Sequence, residues 1–224
     1  MLCAPVVTPR ACAVSDLKKI RVVRGPKTCI KMSVPKTTTM DRIFILDRSG
    51  SMETCRDDTI GGYNAFVSDQ KQFGGTMTLV QFDHEYETIY KEKNMADVEP
   101  LTRAEFAPRG STALLDAIGN TIKTWTSSGT PTVIILTDGA ENASRKYTKA
   151  HIKDLIEQKT KDGWTFVYLG ANQDAFAEAG SIGIAPTATM NYDVNRTPDA
   201  FRNLSAAVSQ VASCNSATIN LNVI

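Results

Sequence analysis

An aspartate and two serines stand at positions i, i+2 and i+4 of the segment Asp47-Arg48-Ser49-Gly50-Ser51. In an extended chain, residues at that spacing project to the same side. A carboxylate and two hydroxyls offer only oxygen, which is the donor set of a hard divalent cation such as Mg²⁺, bound octahedrally at about 2.0–2.1 Å with several waters retained. Two other places have the same character. Gly110-Ser111-Thr112 precedes a stretch of helical periodicity, and Thr137-Asp138-Gly139 ends an apolar run. Asp47, Ser49, Ser51, Thr112 and Asp138 are therefore the candidate metal-binding residues, on the condition that the fold brings three separated segments to one place. The competing explanation is local: Asp47 and Ser49 cap the helix that follows, while Thr112 and Asp138 fill cap and turn roles. Capping alone does not require all five in order.

The elements that must position these residues follow from the hydrophobic pattern. Residues 43–46, 77–82, 132–137 and 164–169 are nearly continuous apolar runs, as expected of parallel strands buried on both faces. Between them, Ile60, Tyr63, Phe66 and Val67 recur at helical spacing, as do Leu114, Leu115, Ile118, Ile122 and Trp125, and again Ile152, Leu155 and Ile156. After an Asp83-His84 turn, the polar alternation over 86–91 suits an antiparallel edge strand. Residues 174–179 are expected as a short helix and 188–192 as a weak strand. A last helix is expected with Thr197 as N-cap, Pro198 at its first position, and Phe201, Leu204, Val208 and Val211 as its stripe. The predicted fold class is α/β: a Rossmann-like three-layer sandwich with a mostly parallel central sheet of about six strands, one antiparallel edge strand, and helices on both faces. Such sheets bind ligands beyond the carboxyl ends of their strands, where strand order reverses direction. Asp47 and Asp138 both lie at such ends. If their strands are neighbours there, with Thr112 above, five oxygen donors surround one small volume.

With these residues quoted, the chain resembles a von Willebrand factor type A domain with a complete metal-ion-dependent adhesion site. The family's DxSxS segment, its loop threonine and its aspartate before glycine match Asp47, Ser49, Ser51, Thr112 and Asp138 one for one. The resemblance runs from about residue 41 to 224 and is to intracellular single-domain members. It implies Mg²⁺ or Mn²⁺ bound directly by Ser49 and Ser51, with Thr112, Asp47 and Asp138 contributing directly or through water. It also implies a non-enzymatic adhesion or assembly module, whose protein partner completes the coordination with an Asp or Glu carboxylate. Service as an adaptor for an ATP-driven remodelling complex is a sub-case of the same resemblance. Asp57-Asp58 is similar to an extra acidic pair beside the site in integrin β subunits, but its spacing from Ser51 differs, so a second adjacent metal is not implied. Arg48 and Glu141 are the candidate partner contacts; for each, an ordinary exposed residue is the alternative.

Composition narrows the remaining choices. The chain has 224 residues, 42% hydrophobic and 22% charged, the balance of a globular protein. Its longest apolar runs fall far short of a membrane span. Residues 1–40 hold eight Lys/Arg against one acid and are expected as a basic flexible arm, leaving 17 basic and 23 acidic residues in the domain expected over 41–224. That arm is open to three readings: a targeting segment, a partner-binding arm, or an extension ahead of a start at Met40. An acidic body argues against nucleic-acid binding. Five scattered cysteines without a CxxC pair argue against a disulfide framework or zinc site and suit a reducing, cytoplasmic setting. A Mg²⁺-dependent phosphohydrolase with Asp47 as nucleophile is the enzymatic alternative. Such enzymes place a second aspartate two residues on, where this chain has Ser49. Partner identity and oligomeric state are not legible.

Overall fold

The computed structural model describes residues 40–171, 174–214 and 219–221, the side chain of Cys214 excepted. The expected arm lies outside them, apart from Met40. Six strands form one sheet: β1 (Asp41–Asp47), β2 (Thr76–Phe82), β3 (Tyr86–Asn94), β4 (Thr132–Thr137), β5 (Thr165–Ala171) and β6 (Thr189–Tyr192), in the order β3-β2-β1-β4-β5-β6. Only β3 is antiparallel to its neighbour. Helices α1 (Arg56–Gln70), α2 (Leu114–Thr124), α3 (Lys149–Lys161), α4 (Ala175–Ser181) and α5 (Thr197–Cys214) cover the two faces.

The apolar runs are continuous because both faces are buried. Phe44, Leu46, Leu136 and Val167 pack with residues of α1 and α5, whereas Ile43, Ile45, Val133 and Ile135 pack with those of α2, α3 and α4. The α1–α5 pair approaches closely at Gly62, where an added Cβ would lie 2.2 Å from the Phe201 ring. Arg42 stands just ahead of the apolar run of β1, yet it is fully buried. Its Nε donates to Gln70 Oε1 and its Nη1 to the Met40 and Gly74 carbonyls, and burial pulls its guanidinium down to about 10. Gln70 in turn donates to Ser205 and Ser209 of α5, so a polar chain links β1 to both helices on that face.

The expected last helix starts one residue early. Thr197 is already helical, and its hydroxyl donates back to the Val194 carbonyl instead of accepting from the helix. No helix among the described residues is long and apolar enough to cross a membrane. Cys55 is a buried free thiol.

Candidate metal site

Strand order reverses at the β1–β4 pair: the chain leaves β1 for β2 on one side and returns to β4 on the other. Asp47 ends β1 and Asp138 follows β4, so the two aspartates emerge side by side. Just past β1 the chain turns into a short 3-10 segment, and Ser49 makes no capping bond to it. The Ser49 hydroxyl lies 3.1 Å from Ser51 Oγ, which donates to Asp138 Oδ1 at 2.7 Å. Thr112 joins them from the loop ahead of α2. A Cβ placed on Gly139 would lie 2.9 Å from Thr112 Oγ1, 3.6 Å from Ser51 Oγ and 3.8 Å from Ser49 Oγ. Three hydroxyls and one carboxylate thus border a cradle that one methyl group would fill.

The spacing suits a small dication. Adjacent ligands of an octahedral ion at about 2.0–2.1 Å stand about 2.9 Å apart, and the two observed oxygen separations, 3.1 and 2.7 Å, bracket that edge. Asp47 is placed differently. It is fully buried; Oδ1 accepts the Ser49 N–H at 2.7 Å and Oδ2 the Thr137 hydroxyl at 2.5 Å. Both oxygens are taken by the chain, so Asp47 shapes the Ser49 turn from behind. Burial pushes its carboxyl up to about 6, against the Thr137 and Ser49 hydrogen bonds and with the nearby Asp138 adding to the rise. Burial raises Asp138 as well, opposed by the Ser51 hydroxyl. Two acids held close together at the cost of solvation are what a cation would relieve. The residues present fit the implied metal.

The three segments are tied by bonds that the sequence did not announce. The N-cap position of α2 is Ala113, which cannot cap. The loop after β4 supplies the acceptors instead: Asn142 Oδ1 takes the Thr112 N–H at 2.9 Å, Glu141 Oε2 the Leu115 N–H at 2.9 Å, and Ser144 Oγ the Asp116 N–H at 3.0 Å. Glu141 also accepts the Ala143 and Ser144 N–H groups and the Ser144 hydroxyl. Its carboxylate is half-buried and accepts four hydrogen bonds within the chain, which corrects the alternative of a merely solvated acid. Arg48 is corrected likewise. Only 6% exposed, it donates to Asp83 Oδ2 at 3.1 Å and Glu87 Oε2 at 2.7 Å. The guanidinium is buried with two acids of its own, against the expectation of an ordinary exposed residue.

Asp83, read from sequence only as part of a turn, is the hub beneath the loops. Burial pushes its carboxyl up, but the Glu85 N–H, Arg109 and Arg48 outweigh this and hold it below the usual range. Arg109 N–H donates to the Arg48 carbonyl and Ala113 N–H to that of Asp83, so the β1 turn, the β2 end and the Thr112 loop form one frame. Potential ligand atoms of Asp83, His84 and Glu85 lie within 4.8 Å of one another, but the two acids already pair with Arg48 and Arg109. Asp57 is also spoken for, in a two-pronged pair with Arg103.

No protein-family model and no curated relative matches the sequence. Solved structures do match. Proximal thread matrix protein 1 from the mussel byssus, whose MIDAS motif is occupied by zinc, is 15% identical with a TM-score of 0.55, over 77% of this chain and 48% of its own. A von Willebrand factor type A structure from Catenulispora acidiphila is 20% identical with a TM-score of 0.55, over 76% of this chain and 42% of its own. The vWF domain of the type V pili tip protein Mfa5 from Porphyromonas gingivalis is 13% identical with a TM-score of 0.60, over 77% of this chain and 95% of its own. This chain therefore spans about half the length of the first two. At these identities the likeness is one of architecture, and the fold of this chain is that of a von Willebrand factor type A domain.

Proposed function

We propose that the chain is a divalent-metal-dependent protein-interaction module that takes a partner's Asp or Glu side chain at the cluster of Ser49, Ser51, Thr112 and Asp138. The observation that carries this reading is the cradle at Gly139, bordered by three hydroxyls within 3.8 Å of one point, with Asp138 hydrogen-bonded to one of them. Ser49, Ser51, Thr112 and Asp138 would hold Mg²⁺ or Mn²⁺, the all-oxygen set favouring a hard ion, and Asp47 would keep the Ser49 turn in place. When bound, the ion supplies a Lewis-acid position open to an outside carboxylate. Glu141 and Asn142 keep the Thr112 loop against the Asp138 loop, and Asp83 does the same for the β1 turn. The adhesion and pilus context of some similar structures supports the reading.

A phosphohydrolase reading finds less support. A nucleophile must reach substrate, and Asp47 has no exposed surface and no unengaged oxygen.

Calorimetric titration of Mg²⁺, Mn²⁺ and Zn²⁺ into chelator-treated protein tests the proposal. Saturable binding that is lost in the Ser49→Ala/Ser51→Ala variant, while that variant keeps its fold by circular dichroism, is the expected result. Absence of binding by the wild type, or unchanged binding by the variant, refutes it.

A further inference from the structure

A cleft of about 1050 Å³ opens beside the metal-site cluster. Ser111 and Asn142 are among its lining residues; Ser111 precedes Thr112 in the chain and Asn142 accepts the Thr112 N–H, so the cleft wall adjoins the Thr112 loop. Further along it is lined by the turn between β2 and β3, by α2, and by the loop that carries Arg145 and Lys146.

The charges in this cleft are unequally committed. Glu85 Oε2 pairs with Arg109 at 2.6 Å. The Asp116 carboxylate accepts the N–H groups of Arg145, Lys146 and Tyr147 at 2.9, 2.9 and 3.0 Å. Both acids thus have donors of their own. The side chains of Arg145 and Lys146 are exposed and make no hydrogen bond or ion pair among the described residues. Their backbone, in contrast, is pinned by Asp116, so two cations without a partner among the described residues stand on a fixed piece of chain along the wall of the cleft.

We infer that this cleft receives the stretch of partner polypeptide adjoining the acid that enters the metal site, and that Arg145 and Lys146 select a second acidic side chain in that stretch. The inference rests on the reading of the cluster as a metal-dependent carboxylate site and names the chemistry of its partner: an extended segment with two acids at a fixed separation. A basic segment would meet two exposed cations, while of the two acids on the wall Glu85 is paired with Arg109 and Asp116 is engaged by three backbone N–H groups. Tethering the two acids in one chain makes the second contact intramolecular once the first has formed. An exposed carboxylate–cation pair is worth up to about fivefold in affinity, and two cations raise the expected gain to between about twofold and thirtyfold, shrinking as salt is added.

The test is selection of random linear peptides on the immobilised full chain in Mg²⁺, with calorimetry of Mg²⁺ binding alongside. The wild type is expected to enrich peptides with two acids at a recurring spacing. Replacing the second acid by alanine should weaken a selected peptide at least about twofold at low salt. The Arg145→Ala/Lys146→Ala variant should show the same loss while binding Mg²⁺ and the single-acid peptide as the wild type does. Three results overturn the inference and leave the metal site standing: enrichment of single-acid peptides only, a variant that keeps the preference for two acids, or no enrichment by protein that binds Mg²⁺. Failure of the wild type to bind Mg²⁺, Mn²⁺ or Zn²⁺ overturns the underlying reading, and the inference with it.

Discussion

Replacing Glu141 by glutamine preserves its size and removes its charge. The carboxylate accepts four hydrogen bonds: from Ala143 and Ser144 N–H on Oε1 at 2.9 and 2.7 Å, and from Leu115 N–H and Ser144 Oγ on Oε2 at 2.9 and 2.7 Å. An amide has one acceptor oxygen, and turned so that its NH₂ group faces Leu115 N–H and the Ser144 hydroxyl it loses the Leu115 bond while the hydroxyl rotates to accept from it. One bond to a charged group is lost outright, worth about 1.5–3 kcal/mol, and the half-buried position of Glu141 sets the lower figure. Removing negative charge from the start of α2 adds about 0.3–1 kcal/mol. The total, about 2–3 kcal/mol, corresponds to a melting temperature lower by about 4–12 °C in a domain of this size. Because Asn142 in the same loop holds Thr112, Mg²⁺ affinity should also fall by about 10- to 100-fold, the range typical of residues that orient ligands. Thermal melts in chelator and calorimetric Mg²⁺ titration measure the two effects separately. A variant that melts and binds Mg²⁺ as the wild type does would refute the clasp and return Glu141 to the status of a solvated loop acid, whose substitution costs less than about 0.5 kcal/mol.

Gly139→Ala should abolish Mg²⁺ binding at little cost to the fold, since the backbone there does not require glycine and the methyl group enters the cradle 2.9 Å from Thr112 Oγ1; calorimetry and a chelator melt check both halves. The Asp47 carboxyl, raised from 3.8 to about 6, favours the folded state fully below about pH 4 and loses that contribution as pH rises through 6, by about 3 kcal/mol in all. In chelator at pH 7.5, Asp47→Asn should therefore melt higher than the wild type, the gap should close near pH 4, and the stabilisation by Mg²⁺ should vanish; a variant less stable at pH 7.5 would count against this. Gly62→Ala places a methyl 2.2 Å from the Phe201 ring, which is buried and stacked near Phe44, so it should destabilise the domain by about 1–3 kcal/mol in urea denaturation without altering Mg²⁺ affinity.

The fold was legible in the sequence because parallel strands buried on both faces leave unbroken apolar runs and helices leave single stripes. Even the short helix after Asp174 and the strand ending at Tyr192 carried enough pattern to be read. The convergence of Ser49, Ser51, Thr112 and Asp138 was likewise readable, because each stands at the end of a legible element and the reversal of strand order brings those ends together. What escaped was the wiring between loops. Arg48 and Glu141 were read as exposed because charged residues in loops usually are, and their neutralising partners, Asp83 and the N-terminus of α2, lie 35 and 26 residues away in sequence. Arg42 in β1 was hidden for the same reason, its partner Gln70 being 28 residues distant. One local signal for the Glu141 clasp did exist: a strong helical stripe opens at Leu114 with Ala113 ahead of it, so its orphan N–H groups had to find acceptors elsewhere.

That wiring has a consequence for recognition. Of the two aspartates at the site, Asp47 spends both oxygens on the chain's own donors, and only Asp138 has an oxygen on the cradle side, where it meets a neutral hydroxyl. The other groups bordering the cradle, Ser49, Ser51 and Thr112, carry no charge. A dication held there would face one carboxylate directly and a second from behind, with its remaining positions filled by hydroxyls and water. Swapping a water for a partner's carboxylate adds a full negative charge to an ion that has only one beside it, whereas the same exchange at a site ringed by carboxylates would be opposed by repulsion. On the proposed reading, keeping Asp47 engaged behind the turn is what would leave a bound ion receptive. A substitution that released it, such as Thr137→Val, which removes the hydroxyl on Oδ2, should weaken capture of acidic peptides more than it weakens Mg²⁺ binding.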